Sequence, residues 1–255
     1  MPSLKRSAAH VFEQLTGACV VLPHRVGALY EEECVRRIID AFAIDCVFDV
    51  GANAGQFASL LRERLHFAGS IISFEPVPAL AKKLRDMASH DSRWFIREVA
   101  LDATPGAAQF NVARDTQFSS LRPVSQLGHR LFRDQIANAE TIEVETTTLG
   151  AEIDYWRDRL GFRGAYLKMD TQGADLAVAA SAGDQLALFS AIQTEVAIKK
   201  LYDDTPDFGE CIEFYRARGF ELNAIVPNNE GAFPYLYETD CLLVRRAIAE
   251  RLSAP

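Results

Sequence analysis

The chain has 255 residues, 49% of them apolar and 24% charged, and its 27 Lys and Arg against 35 Asp and Glu give a formal net charge of −8. That composition suits one domain of ordinary to large size with a real core and excludes a disordered chain. The acidic balance offers no field that attracts nucleic acid, so no nucleic-acid partner is expected. Five cysteines (Cys19, Cys34, Cys46, Cys211 and Cys241), odd in number and without a C-x-x-C pair, argue against a disulfide frame or zinc site. They point to reduced thiols and a cytoplasmic protein.

Near the start, Lys5 and Arg6 precede an apolar run, "GACVVLP", that is far too short to span a bilayer. We expect neither a signal peptide nor a membrane span. In "YEEECVRRIIDAFAI" the apolar residues Cys34, Val35, Ile38, Ile39 and Phe42 recur at helical spacing, with Glu31 to Glu33 set at the positive N-terminal end. Residues 1–44 are therefore predicted as an N-terminal helical extension packed on a main domain, 45–255.

From residue 46 short apolar runs alternate with helical segments. "CVFDVG" reads as a strand, "QFASLLRERL" as a helix, "GSIISFEP" as a strand, "PALAKKLRDMA" as a helix and "RWFIREVAL" as a strand. Strands so uniformly apolar are expected to be buried on both faces, in a parallel sheet with helices on each side. Between about 103 and 148 the rhythm breaks. There "AAQFNVAR" and "ETIEVETTTL" alternate like antiparallel or edge strands around a long polar loop, an insertion of the kind that forms a lid or substrate wall. The α/β pattern resumes with the strand "AYLKMD", a helix from Gly173 to about Ala182, the strand "FSAIQTEV" and the helix "DFGECIEFYRARG". It closes with "FELNAIVP" and "TDCLLVRRA", an antiparallel hairpin with a long connection.

Gly51 and Gly55 stand where a buried strand meets a helix, a position at which glycine admits a close ligand and the helix offers free N–H groups. A dinucleotide fingerprint would need glycine at positions 53 and 56, where this chain has Asn53 and Gln56, and no phosphate loop with Gly-Lys-Ser/Thr follows. Alone the pattern supports a tight corner as well as a binding turn. Glu75, 24 residues beyond Gly51 at the end of the next strand, lies at the distance where a carboxylate meets ribose hydroxyls.

In "AYLKMD" the alternation of a strand puts Tyr166, Lys168 and Asp170 on one face and Leu167 and Met169 on the other. Lys168 and Asp170 are costly to bury unless they pair or act, and Glu195 in "IQTEV" is a second carboxylate aimed at the same rim. No group of residues has metal-ligand spacing, so no metal is expected.

Taken together, "FDVGANAGQF", "SFEPVP", "VALDATPGAAQF", "SSL", "LKMDTQGAD" and "IQTEV" resemble the FkbM-type S-adenosylmethionine-dependent methyltransferases over roughly residues 46 to 222. The resemblance implies the class I methyltransferase fold, Rossmann-like, with seven strands, the last antiparallel, and helices on both faces. It implies that Asp49, Gly51, Asn53 and Gly55 line the methionine end of the cofactor, that Glu75 holds the ribose, and that Val99 to Asp102, including Ala100 and Leu101, lie near the adenine. Asp170 falls beside the methyl group, preceded by Lys168. The sequence departs from the family pattern at Leu149-Gly150, where the family has Leu-Asp, and at Gln172 and Asp175, where it has glutamates.

The expected activity is O-methyl transfer from S-adenosylmethionine, leaving S-adenosylhomocysteine, to a sugar, glycan precursor or small secondary metabolite. Asp170 is the first candidate base and Glu195 the second, Lys168 is a catalytic candidate that either acts on Asp170 or holds the acceptor oxygen, and His129 is an outside candidate. Phe118, Tyr155, Trp156 and Tyr235 are candidates to stack on a sugar ring, or else packing residues. The rival readings are a dinucleotide-dependent oxidoreductase and a non-catalytic binding protein; association into a homo-oligomer is left open.

Overall fold

Strands that are almost wholly apolar form the centre of the protein, seen in a computed structural model that describes residues 22, 25–136, 140–227 and 234–253. The readings of residues 1–21, including Cys19, and of the hairpin connection at 228–233 lie outside the described residues. Helix α1 (Val26–Ala41) leads to β1 (Cys46–Val50), followed by α2 (Gln56–Ser59), which runs on as a π-helical turn at Leu60–Arg64, and by β2 (Ser70–Phe74), α3 (Pro78–Ala88) and β3 (Trp94–Arg97). Strands β4 (Ala100–Leu101) and β5 (Gly106–Val112) come next, then the short helices α4 (Gln126–Leu131) and α5 (Arg133–Ile136), then β6 (Glu140–Thr147). The rest comprises α6 (Leu149–Leu160), β7 (Ala165–Met169), α7 (Asp175–Ala180), β8 (Phe189–Ala197), α8 (Phe208–Ala217), β9 (Phe220–Pro227), β10 (Glu238–Arg245) and α9 (Arg246–Ser253).

Seven strands form one sheet in the order β3-β2-β1-β7-β8-β10-β9. Only β10 runs against its neighbours β8 and β9; the pairs β1–β2, β1–β7, β2–β3 and β7–β8 are parallel. This is the class I methyltransferase arrangement that the resemblance implied. The chain moves outward from β1 to β3 and returns beside β1 as β7, so the order reverses between β1 and β7. At such a reversal the helices on either side diverge and open a crevice at the carboxyl ends of the strands.

Side-chain alternation sorts the core into two layers. Phe48, Val50, Leu167, Met169 and Ile192 face Leu149, Ile153 and Trp156 of α6, Val178 of α7 and Tyr215 of α8. Val47, Tyr166, Ala191 and Leu242 face Val35 and Ile38 of α1, Phe57 of α2, Leu61 and Leu84. Each such buried aliphatic or aromatic side chain contributes roughly 1.5 to 3 kcal/mol. Tyr166 thus packs on the face opposite Leu167 and Met169, as alternation required.

Several local readings change. "RWFIREVAL" is two strands rather than one: exposed Glu98, paired with Arg85 at 2.7 Å, breaks the run. Beyond it Ala100–Leu101 joins β6 and β5 in a separate three-stranded sheet. Helix α1 starts at Val26, so its first turn holds no acid; Glu32 reaches Arg64 at 2.8 Å and Glu33 binds Arg36 and Arg37 instead. Four helices were not foreseen: α4 and α5 lie within the stretch expected to be a polar loop, and α6 and α9 lie outside it. Helix α6 is capped by Thr148, whose side chain accepts the Ala151 N–H, and α9 follows directly on the closing strand.

Candidate functional site

At the carboxyl ends of β1, β2, β7 and β8 the crevice widens into a cavity of about 490 Å³, within the range of clefts that hold small molecules and cofactors. Its floor is the turn after β1. Gly51 takes φ +75°, and a Cβ there would land on the carbonyl oxygen of Asp170, so only glycine lets this turn pass so close to β7. Asn53 follows at φ +47°. Its backbone N–H donates to Glu75 Oε2 at 2.8 Å, and the N–H of Val77 donates to Glu75 Oε1 at 2.9 Å.

Glu75 is 4% exposed. Burial pushes its carboxyl up from 4.5 to about 7, against the two backbone N–H groups that favour the charged form. It remains at the cavity wall, as do Gly51, Asn53, Ala100, Leu101 and Asp170 among the residues predicted to bind a cofactor. Asp49 and Gly55 do not line the cavity. Gly55, at φ +87°, turns its Cα toward Leu84 and Met87 of α3, so its glycine serves the turn and the packing of α3.

Asp49 is fully buried behind the floor. Its Oδ2 accepts the Ser73 hydroxyl at 3.1 Å, and Ser73 Oγ in turn accepts Trp94 Nε1 at 3.0 Å. Its Oδ1 makes no hydrogen bond and faces Lys168 Nζ at 3.9 Å. Burial raises the Asp49 carboxyl above its ordinary value, with Lys168 and Ser73 pulling the other way. Lys168, which lines the cavity, lies 3.4 Å from Asp170 Oδ2 on its other side. Burial alone would depress its ammonium, but Asp170 and Asp49 hold it above the usual lysine value.

Asp170 and Glu195 meet through Gln172, one of the departures from the family pattern, to which the sequence reading gave no role in the site. The Gln172 amide nitrogen donates to Asp170 Oδ1 at 2.8 Å and to Glu195 Oε2 at 2.6 Å. Burial, then the neighbouring acids Glu238, Asp170, Asp240 and Asp175, raise the Glu195 carboxyl well above its ordinary range. Asp240 stands directly opposite Glu195 in the β8–β10 register, where like charges repel. Asp175 is structural: its oxygens accept the backbone N–H groups of Thr171 at 2.8 Å and Glu195 at 2.9 Å.

The inserted segment closes one side. Thr116, Gln117, Phe118, Ser119 and Leu121 line the cavity. Thr116 Oγ1 donates to Asn53 Oδ1 at 2.9 Å, and Ser120 Oγ to the Gln172 carbonyl at 2.7 Å. Phe118 alone of the proposed stacking residues is in the wall. Trp156 is buried in the core, with Nε1 on Glu152 at 3.1 Å. Tyr155 and Tyr235 are exposed outside the cavity, under Arg97 and Lys199 respectively, and His129 is exposed on α4.

Glu31 of α1, Gln193 of β8, and Glu238 and Asp240 of β10 complete the wall and were not foreseen. Carboxylates in the otherwise apolar "ETDCLLV" carry the same signal that singled out Asp170 and Glu195. No helix among the described residues is long and apolar enough to cross a membrane. The four described cysteines are free thiols, and burial pushes those of Cys46, Cys211 and Cys241 up to about 12.

A sequence model of the family described as methyltransferase FkbM domain matches residues 49–222. No curated protein matches the chain. Among solved structures, magnesium protoporphyrin IX methyltransferase from Synechocystis PCC 6803 with bound SAM is similar at 12% identity, with 92% of this chain and 89% of that one covered and a TM-score of 0.45. An rRNA methylase from Streptococcus thermophilus is similar at 9% identity, covering 89% and 99%, with a TM-score of 0.46.

Proposed function

The chain belongs to the methyltransferase FkbM domain family, and from that premise we propose that it transfers a methyl group from S-adenosylmethionine to a hydroxyl of a sugar, a glycan precursor or a small secondary metabolite in the cytoplasm. The observation that carries the reading is Glu75. Each of its oxygens is fixed by one backbone N–H, and a carboxylate has further lone pairs for the two adjacent hydroxyls of a ribose. Gly51 and Asn53 would hold the methionine end and Ala100 and Leu101 the adenine, with Asp49 acting from behind through Lys168.

S-adenosylmethionine, when bound, supplies an electrophilic methyl group on a sulfonium. The chain's own residues then have to align the acceptor and remove its proton. Asp170, at the open end of β7, takes the proton of the acceptor hydroxyl; Lys168, 3.4 Å away, holds its carboxylate in place. Glu195 accepts a second hydroxyl of the acceptor. Polar walls from Gln193, Glu195, Glu238 and Asp240 favour a ligand rich in hydroxyls over an apolar one.

Calorimetry with S-adenosylmethionine, S-adenosylhomocysteine and NAD tests the donor: both sulfur compounds are expected to bind and NAD is not. Binding of neither would overturn the reading. Labelled-methyl incorporation across a panel of nucleotide sugars and glycolipid precursors tests the acceptor class.

A further inference from the structure

Two carboxylates from adjacent strands, Asp170 after β7 and Glu195 in β8, face one cavity, with Asp240 and Glu238 of β10 and Asp175 of α7 close by and Lys168 3.4 Å from Asp170. Carboxylates so placed repel one another, and a neutral donor shared between two of them favours their standing together. We propose that Gln172 is the positioning residue that sets Asp170 and Glu195 side by side, each hydrogen of its amide being taken by one of the two carboxylates. The inference rests on the methyl-transfer reading for its purpose, since these are the groups that would orient the acceptor.

The geometry favours one orientation of the amide. Its Nε2 lies 2.8 Å from Asp170 Oδ1 and 2.6 Å from Glu195 Oε2, while its Oε1 accepts the Tyr202 hydroxyl at 2.7 Å. A flipped amide would aim its carbonyl at both carboxylates and lose those two hydrogen bonds, while the Tyr202 hydroxyl, which also donates to the Phe118 carbonyl at 3.3 Å, would have to turn from donor to acceptor. The backbone is committed to the same end. Gln172 adopts φ +53°, a left-handed conformation unusual for a residue with a side chain. Its carbonyl accepts Ser120 Oγ, and a Cβ on the next residue, Gly173, would come within 2.8 Å of Thr205 Oγ1. The turn is thereby pressed against the segment that carries Tyr202.

A glutamate at this position, as the family pattern has, would present a third carboxylate to the other two and take both donors away. Glutamine makes the pair compatible while Lys168 fixes the remaining side of Asp170. Asp170 is then held from two directions.

Infrared titration of the full-length protein tests this, the bands being assigned by their loss in Asp170→Asn and Glu195→Gln. In Gln172→Leu the carboxyl pair loses its donors, so its titration midpoint is expected to move up by about one pH unit or more. Gln172→Glu is expected to add protonated carboxyl intensity at neutral pH beyond that of the wild type, and it decides the matter if Gln172→Leu does not fold. Midpoints within about 0.3 unit of wild type in both variants would overturn the proposal. S-adenosylhomocysteine binding by the wild type is measured alongside. Its absence would count against the donor reading alone and leave the titration result standing.

Discussion

The backbone N–H of Asn53 donates to Glu75 Oε2 at 2.8 Å, so the carboxylate that ends β2 is tied to the turn that ends β1. Because burial lifts Glu75 to about 7, and ribose hydroxyls donate to the ionised form, affinity for S-adenosylhomocysteine should rise as pH passes from 6 to 8. Glu75→Gln should weaken binding at pH 8 by about 1 to 3 kcal/mol and flatten the pH dependence. Calorimetry at the two pH values checks both, and an unchanged slope would remove Glu75 from the ribose.

The same shift has the opposite sign for folding. A carboxyl raised from 4.5 to about 7 favours the protonated folded state. Its contribution is fully present below 4.5 and is lost as pH rises through about 7. Ligand-free Glu75→Gln should therefore match the wild type near pH 4 and exceed its stability at pH 8, by up to about 3 kcal/mol. Denaturant melts of the ligand-free proteins supply the comparison; a variant less stable than wild type at pH 8 contradicts the burial argument.

Lys168 neutralises Asp49, which is fully buried and has no other cation near it in the described structure. Lys168→Met should cost about 3 to 5 kcal/mol by stranding that charge. Adding Asp49→Asn should recover much of the loss, as should lowering the pH until Asp49 takes a proton. A double variant no more stable than Lys168→Met would mean that the pair is not coupled.

Gly51 and Gly55 have different duties and should respond differently to alanine. At Gly55 the new methyl meets the ends of Leu84 and Met87, at 2.9 and 3.1 Å, flexible side chains that can yield. At about 1 to 2 kcal/mol, the cost is mainly the left-handed backbone. At Gly51 it meets the Asp170 backbone, which cannot move without parting β1 from β7, so Gly51→Ala should lose both stability and cofactor binding. Thermal melts and calorimetry on the two variants separate them; equal behaviour would refute the distinction.

Much of the sheet was legible because β1, β2, β7 and β8 are apolar on both faces, a pattern that is local. Alternation likewise placed Tyr166, Lys168 and Asp170 on one side correctly. Helix α6 was missed because Leu149, Ile153 and Trp156 are interleaved with Glu152, Asp154, Arg157, Asp158 and Arg159. Its buried acid, Glu152, is satisfied by Trp156 and by Arg97, which reaches it from 55 residues earlier at 2.7 Å. The same holds at the cavity. Glu75 and Asp170 were visible from strand ends, whereas Glu31 joins the wall through its bond to Gln193, 2.6 Å away and 162 residues on. Glu238 and Asp240 join it only because β10 inserts between β8 and β9.

That insertion bears on how the protein can be cut. The family likeness begins at residue 49, inside β1, and ends at 222, inside β9. A chain trimmed to those limits would lack β10, leaving β9 nothing to pair with and β8 an open edge, and it would shed Glu31, Glu238 and Asp240 from the cavity. The matched segment is therefore smaller than what must travel together for this chain to fold, and truncation at the matched limits should yield an aggregating sheet rather than a minimal enzyme.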